Sequence, residues 1–307
     1  MFTFETLMFI ILCITVVASS SKNKDFSILA KDQSDCFRGI FAFFIVLNHI
    51  SKEHDILDNL YSYLSLAVVS SFFFISGFGL MKGFMYKGEY RKSFLKKRFT
   101  RLVLPYMITT LIYWVYYYLI NERISLFNVI VKIFKFQPIV TYSWFILDLI
   151  IQYFIFYVLM WLSKNKKMFV NIVICLTVVS LILFTTNNKI HFYLNPYFGL
   201  GILFARYKKE VSSFLKMHTV KLATGSILIT IIYLFNVRRL VSLNVLMNIL
   251  FIILMLLYSE RYMIKNHYLS HLGKISLELY MYHGLAKMII RRFLHINMYV
   301  DNAIIML

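Results

Sequence analysis

The chain has 307 residues, 60% hydrophobic and 15% charged, with a formal net charge of +19. A soluble domain is nearer half apolar and about a quarter charged, so the composition excludes an ordinary globular enzyme. The positive balance does not indicate nucleic acid, because the Lys and Arg residues sit in short segments between apolar runs.

Apolar runs of bilayer-spanning length recur along the chain. They predict an all-α, polytopic transmembrane helix bundle of about ten spans, at 4–20, 36–51, 60–82, 102–120, 143–162, 169–186, 191–206, 218–236, 240–259 and 275–293. Cys13, Cys36 and Cys175 lie in or beside these runs at unrelated spacings, which suggests neither a disulfide frame nor a metal site. The leading residues of the first span carry Glu5 and no Lys or Arg, unlike a signal peptide. It reads as a retained helix with its N-terminus outside. With that orientation the inner loops hold 23 Lys/Arg and the outer loops 7, with 3 more in or after the last span. This is the bias of the positive-inside rule.

The second span contains "FRGIFAFFIVLNHI", with Arg38 at its inner end and His49 toward its outer end. An 11-residue separation returns to nearly the same helix face about 16 Å further on. Snorkelling to the headgroups is the plain alternative for Arg38, and a hydrogen bond within the bundle for His49. Ionisable groups at membrane depth are functional candidates by default, and an imidazole suits proton transfer. The third span ends "SSFFFISGFGLMKGF", where Ser76, Gly77 and Gly79 allow close helix packing.

The most basic segment follows, "YKGEYRKSFLKKRFTRLVLPY". Topology accounts for most of its charges, but Arg98 and Arg101 share a face at the membrane boundary. Paired guanidinium groups at a helix N-terminus make a phosphate site, so a nucleotide or coenzyme A is the expected ligand class. In "TYSWFILDLIIQYF", Tyr142 and Trp144 read as interfacial aromatics, and Asp148 is expected to face protein or a cavity. The last span, "LGKISLELYMYHGLAKMIIRR", holds Glu278, Tyr280 and His283. Tyr280, His283, Lys287 and Arg291 form a polar stripe expected to face the bundle interior.

In order, these segments resemble the integral-membrane acyltransferase family 3, whose members O-acylate cell-surface polysaccharides and related glycans. "RGIFAFFIVLNH" fits its Arg-x10-His helix, "FFFISGFGL" its Ser-Gly-Phe helix end, and "KKRFTRLVLPY" its Arg-x-x-Arg segment before a proline. "SWFILDLIIQYF", "YFGLGILFA" and "LGKISLELYMYH" resemble its later helices. The span at 4–20 precedes the family's usual first helix. Residues 1–35 therefore read as an extra N-terminal helix and basic cytoplasmic linker, and 36–307 as the acyltransferase-like membrane domain. The chain ends in "VDNAIIML", which looks like the beginning of the family's usual further helix, and "YMYH" lacks the Trp and Pro often found around that histidine.

The resemblance implies transfer of an acyl group, most often acetyl, from cytoplasmic acyl-CoA to a hydroxyl of a polysaccharide or lipid-linked glycan, with no metal, by a multi-pass protein of the plasma membrane. Arg98 and Arg101 would hold the CoA phosphates, and Ser76 and Gly77 would shape the acyl channel. His49 would act as general base, while Arg38 would orient the donor or stabilise oxyanion charge. Asp148, Glu278, Tyr280 and His283 are candidates for the acceptor side or for supporting these groups. Export of polysaccharide or lipid-linked sugar is the alternative. It would need polar residues in the core but no acyl-CoA site.

Overall fold

The computed structural model describes residues 4–23, 28–50, 58–86, 90–122, 124–135, 137–163, 165–186, 195–235, 241–290 and 292. It is a helical bundle. The long helices are α1 (Phe4–Ala18), α2 (Lys31–Ile50), α3 (Asp58–Tyr86), α5 (Leu104–Leu119), α7 (Trp144–Leu162), α8 (Lys166–Thr186), α10 (Lys208–Phe235) and α11 (Val241–Arg261). Shorter ones are α4 (Tyr90–Arg98), α6 (Leu126–Phe134), α9 (Pro196–Arg206), α12 (His267–Lys274) and α13 (Ser276–Ile289). Each expected span corresponds to a helix. By length and composition, however, four helical stretches among the described residues can cross a bilayer unaided: 64–86, 90–119, 144–162 and 244–261. The exterior is that of a membrane protein. Leu7, Ile10, Ile14 and Val17 of α1 and Met107, Leu111 and Val115 of α5 are exposed, while Ser71, Thr109 and Asp148 are buried.

Two reciprocal glycine contacts set the closest helix crossings. A Cβ at Gly39 of α2 would overlap the carbonyl of Leu269 in α12, and one at Gly273 of α12 would overlap the carbonyl of Asp35 in α2. Gly77 of α3 and Gly201 of α9 meet the carbonyls of Phe198 and Phe74 in the same way. Gly79, by contrast, has nothing within 4 Å of a Cβ. Gly273→Ala is therefore expected to cost about 1–3 kcal/mol, because backbone rather than a side-chain tip must yield. Gly79→Ala should be neutral or gain up to about 1 kcal/mol of helix propensity. Thermal midpoints of the two variants in detergent compare them directly.

The segment after α1 is tied into the same body. Strand β1 (Ser20–Lys22) pairs antiparallel with β2 (Tyr262–Ile264), with Ser21 opposite Met263. The Asn23 amide donates to Ser259 O at 2.9 Å, and Ser259 Oγ accepts from the Leu29 N–H at 2.9 Å. Lys82 and Lys208 both approach the Phe78 ring, at 6.0 and 5.8 Å. The expected inner segments at 22–38, 82–101, 206–221 and 261–274 thus converge at one end of the bundle. The expected outer loop at 51–59 lies outside the described residues over 51–57, as do Arg291 and the C-terminal "VDNAIIML".

Candidate active site

The basic segment does not start a new helix at Arg98. α4 runs through a π-helical turn at Phe99–Val103 directly into α5. Pro105 follows at the second residue of α5; it lacks an N–H and crowds the carbonyl four residues back. A π turn is a common way for a helix to absorb such a break. The expected phosphate site at a helix N-terminus is thereby corrected. Helical hydrogen bonding is continuous here, so anion attraction comes from the guanidinium groups and not from free N–H groups.

Arg98 and Arg101 line a cavity of about 630 Å³ with Arg38, Lys31 and Lys274. Five cations thus surround one space, against Asp35 and Glu278. Arg38 Nη1 lies 3.2 Å from Asp35 Oδ1, and Asp35 is buried while about a third of the Arg38 side chain is exposed. The carboxylate fixes one edge of the guanidinium and leaves the remaining donors toward the cavity. Arg98 is held by aromatics: Nη2 donates to the Tyr90 hydroxyl at 3.2 Å, and the guanidinium lies 5.2 Å from the Tyr153 ring centre and 5.7 Å from that of Phe94. Such stacking orders a planar cation without consuming its charge. Arg101 is exposed on the rim.

The inner wall is apolar. Phe72, Phe145, Leu149 and Tyr280 line it, with Ser76 beside them. Gly77 does not reach this space. Its face is taken up by the α9 backbone, so packing and not a channel explains it. Glu278 lies in the first turn of α13 and lines the basic cavity, on the expected donor side. Asp148 is fully buried. One oxygen accepts from Gln152 Nε2 at 3.0 Å and the other has no hydrogen-bond partner among the described residues. Its neighbours Phe145 and Leu149 face the cavity, but Asp148 does not line it.

Beyond Tyr280 lies a second cluster. The His49 ring stacks on Tyr142 at 3.8 Å between centres, and His283 lies 5.1 Å from His49 in a nearly parallel plane. Tyr142 has φ of 65°, an unusual conformation for a bulky residue. Its carbonyl accepts from the Tyr280 hydroxyl at 2.7 Å. Lys287 Nζ donates to the His49 carbonyl at 2.5 Å. His283 Nδ1 is 3.1 Å from the Leu279 carbonyl, which can only accept, so Nδ1 carries the proton and Nε2 holds the free lone pair. That Nε2 is buried with no hydrogen-bond partner among the described residues. A buried acceptor of this kind is suited to a hydroxyl donor, and then to that hydroxyl's proton.

The sequence-predicted residues thus divide into two places. Arg38, Ser76, Arg98, Arg101, Glu278 and one face of Tyr280 surround the basic cavity; His49 and His283 form a stack behind Tyr280. Arg38 and His49 lie on one continuous helix, about 16 Å apart along its axis. Sequence reasoning missed Lys31, Asp35, Lys274 and Tyr142. The first three resemble ordinary loop charges, and Tyr142 an ordinary interfacial aromatic.

Taken together, an apolar exterior, a buried polar interior and a cationic cavity at one end define a helical membrane protein built around an internal polar site. A family model described as an acyltransferase domain, that of acyltransferase family 3, matches residues 32–307, and the chain belongs to this family. The match begins at the start of α2 and takes in both the basic cavity and the histidine stack. No curated protein and no solved structure matches the chain.

Proposed function

We propose that this membrane acyltransferase takes its acyl group, most simply acetyl, from cytoplasmic acyl-CoA and delivers it to a hydroxyl of a cell-surface polysaccharide or lipid-linked glycan. The observation that carries this reading is the cavity that gathers Arg38, Arg98 and Arg101 with Lys31 and Lys274. Coenzyme A is a polyphosphate on a flexible arm, and guanidinium groups bind phosphate in charge-assisted, often bidentate pairs. The basic loops that converge on this end favour a cytoplasmic mouth in the plasma membrane, with the N-terminus outside and about ten membrane passages in all.

In this reading the phosphates rest among the cations and the thioester arm runs along the apolar wall toward Tyr280. The acyl end passes Tyr280 to meet the acceptor hydroxyl at the histidine stack. An imidazole takes the hydroxyl proton as the oxygen attacks the thioester carbonyl. The C–O bond forms, the C–S bond breaks, and the departing thiolate recovers the proton from the imidazolium. Arg38 lies too far from His49 to stabilise the same oxyanion, so it orients the donor. His283, with its open Nε2, is as well placed for the proton as His49.

Mass spectrometry of surface glycans from a deletion strain and its complemented parent tests the function. The expected result is loss of one acyl mass per modified unit on deletion and its return on complementation. Unchanged acyl content together with less surface glycan would favour the exporter.

A further inference from the structure

The connection from α5 to α7 holds an element that the proposed reaction does not use. Helix α6 (Leu126–Phe134) has nine residues. Its length is therefore about 13 Å, far short of the roughly 30 Å hydrocarbon core of a bilayer. It follows the end of α5 that lies furthest from Arg98 and Arg101, and so sits at the end of the bundle opposite the basic cavity. Local bonds fix it in place. Ser125 Oγ accepts from the Asn128 N–H at 3.2 Å, and the Trp114 indole of α5 donates to the Ile124 carbonyl at 2.8 Å.

At about 100° per residue, α6 carries three different faces. Val129 is 3% exposed, and Ile133 beside it packs against the core. Asn128, Lys132 and the capping residue Lys135 share a polar arc and are exposed. Leu126, Phe127, Ile130 and Phe134 fill the arc opposite the polar one. They are exposed as well, Phe127 and Phe134 by 73% and 79%. A short helix with one apolar and one basic face is the pattern of a helix lying in the plane of a membrane interface. The apolar arc also continues a lipid-facing surface, since Leu111, Val115 and Leu119 of α5 are exposed on the span that leads into it. In the proposed orientation this end is outside, where the positive-inside bias disfavours lysine. Topology therefore does not account for Lys132 and Lys135, whereas lysines beside an in-plane helix reach up to headgroup phosphates along their apolar stems.

We infer that α6 is an in-plane helix seated in the outer-leaflet interface, with Leu126, Phe127, Ile130 and Phe134 among the upper acyl chains and Asn128, Lys132 and Lys135 at the level of the phosphates. The leaflet rests on the orientation in the proposed function; the in-plane seat does not. The seat ties to the bilayer surface the connection that ends in Tyr142, the ring stacked on His49.

The test uses the full chain in nanodiscs, with Cys13→Ala and Cys175→Ala removing the exposed thiols and the buried Cys36 kept. Single nitroxide labels are attached through Phe127→Cys, Asn128→Cys, Ile130→Cys, Lys132→Cys, Phe134→Cys and Lys135→Cys. All six positions are exposed, so the substitutions leave the core intact. Power-saturation spectroscopy compares collision with oxygen, which concentrates in lipid, and with a water-soluble nickel chelate. Labels at 127, 130 and 134 should favour oxygen and those at 128, 132 and 135 nickel, so that the preference reverses around the helix. Nickel favoured at all six would place α6 in water and overturn the proposal. Oxygen favoured at all six, or labels at 127, 130 and 134 closed to both reagents, would overturn it too, the latter because protein such as a second copy covers the face. The leaflet is read separately with an impermeant thiol reagent on intact cells carrying Lys135→Cys, where labelling from outside is expected. Labelling from the cytoplasmic side alone, with the alternation intact, would overturn the leaflet and the proposed orientation together, and not the in-plane seat.

Discussion

His49→Gln is expected to leave the protein folded and able to bind acyl-CoA while reducing acyl transfer by about 10²–10⁴-fold, the usual loss for a general base. Glutamine keeps hydrogen-bonding capacity but takes up no proton near neutrality. His283→Gln should fall in the same range, because its Nε2 is the open lone pair of the stack. The double variant should be little worse than either single one, since residues that act as a unit are non-additive. A purely structural pair predicts otherwise: glutamine would rescue, and alanine would lower the yield of folded protein. Single-turnover rates at saturating donor, with yield and monodispersity measured alongside, separate these outcomes. Full transfer by a well-folded His49→Gln, His283→Gln protein would remove the histidines from the reaction.

Donor binding should depend on the other cluster. Arg98→Ala and Arg101→Ala are each expected to weaken acyl-CoA binding about ten- to a hundredfold, from the loss of a charge-assisted contact worth about 1.5–3 kcal/mol. The two sites should not respond alike to lysine. Arg98 lies against Tyr153 and Phe94 and donates to Tyr90, so lysine loses both planar stacking and fork geometry there. Arg101 is exposed on the rim, and lysine should restore most of its long-range attraction. Calorimetric titration of acyl-CoA against each variant gives the comparison. Unchanged affinity in the double alanine variant would make these arginines topology signals only.

Much of the bundle is legible in the sequence because lipid imposes a coarse rule. A spanning helix must be apolar over most of its length and satisfy its own backbone. The expected boundaries at 36–51, 143–162 and 240–259 therefore fall close to α2, α7 and α11. The expected start at 218 marks a kink instead, since α10 begins at Lys208 and His218 departs from helical geometry at φ −112°. Elements that escaped are short and set by local hydrogen bonds. Ser125 caps α6 and Asn266 caps α12, each accepting from the N–H three residues on. The strands Ser20–Lys22 and Tyr262–Ile264 are too short to show an alternating pattern.

The site was legible one helix at a time, and its assembly was not. The arginine and histidine of α2 stand out because lipid makes them costly. Periodicity within α2 does not reveal that Tyr280 lies between the cavity and the stack, since that depends on a hydrogen bond from Tyr280 to the carbonyl of Tyr142. Nor does it bring His49 and His283 within 5.1 Å of each other, which takes the packing of α13 against α2. Gly77 shows the converse. The family resemblance implied a channel there while the small residues themselves suggested packing, and its contact with the Phe198 carbonyl fits packing.

In the proposed reaction acyl groups enter through the basic cavity and leave through the histidine stack. Inside-out membrane vesicles supplied with acyl-labelled acetyl-CoA test it most directly, in strains expressing the unaltered chain, the Arg98→Ala, Arg101→Ala variant, or His49→Gln. Label is expected in the glycan fraction with the unaltered chain, a much raised donor requirement with the arginine variant, and with His49→Gln a transfer lowered by about 10²–10⁴-fold that added donor does not restore. Label that appears equally in all three, or glycan export that depends on the chain while no label is transferred, would contradict it.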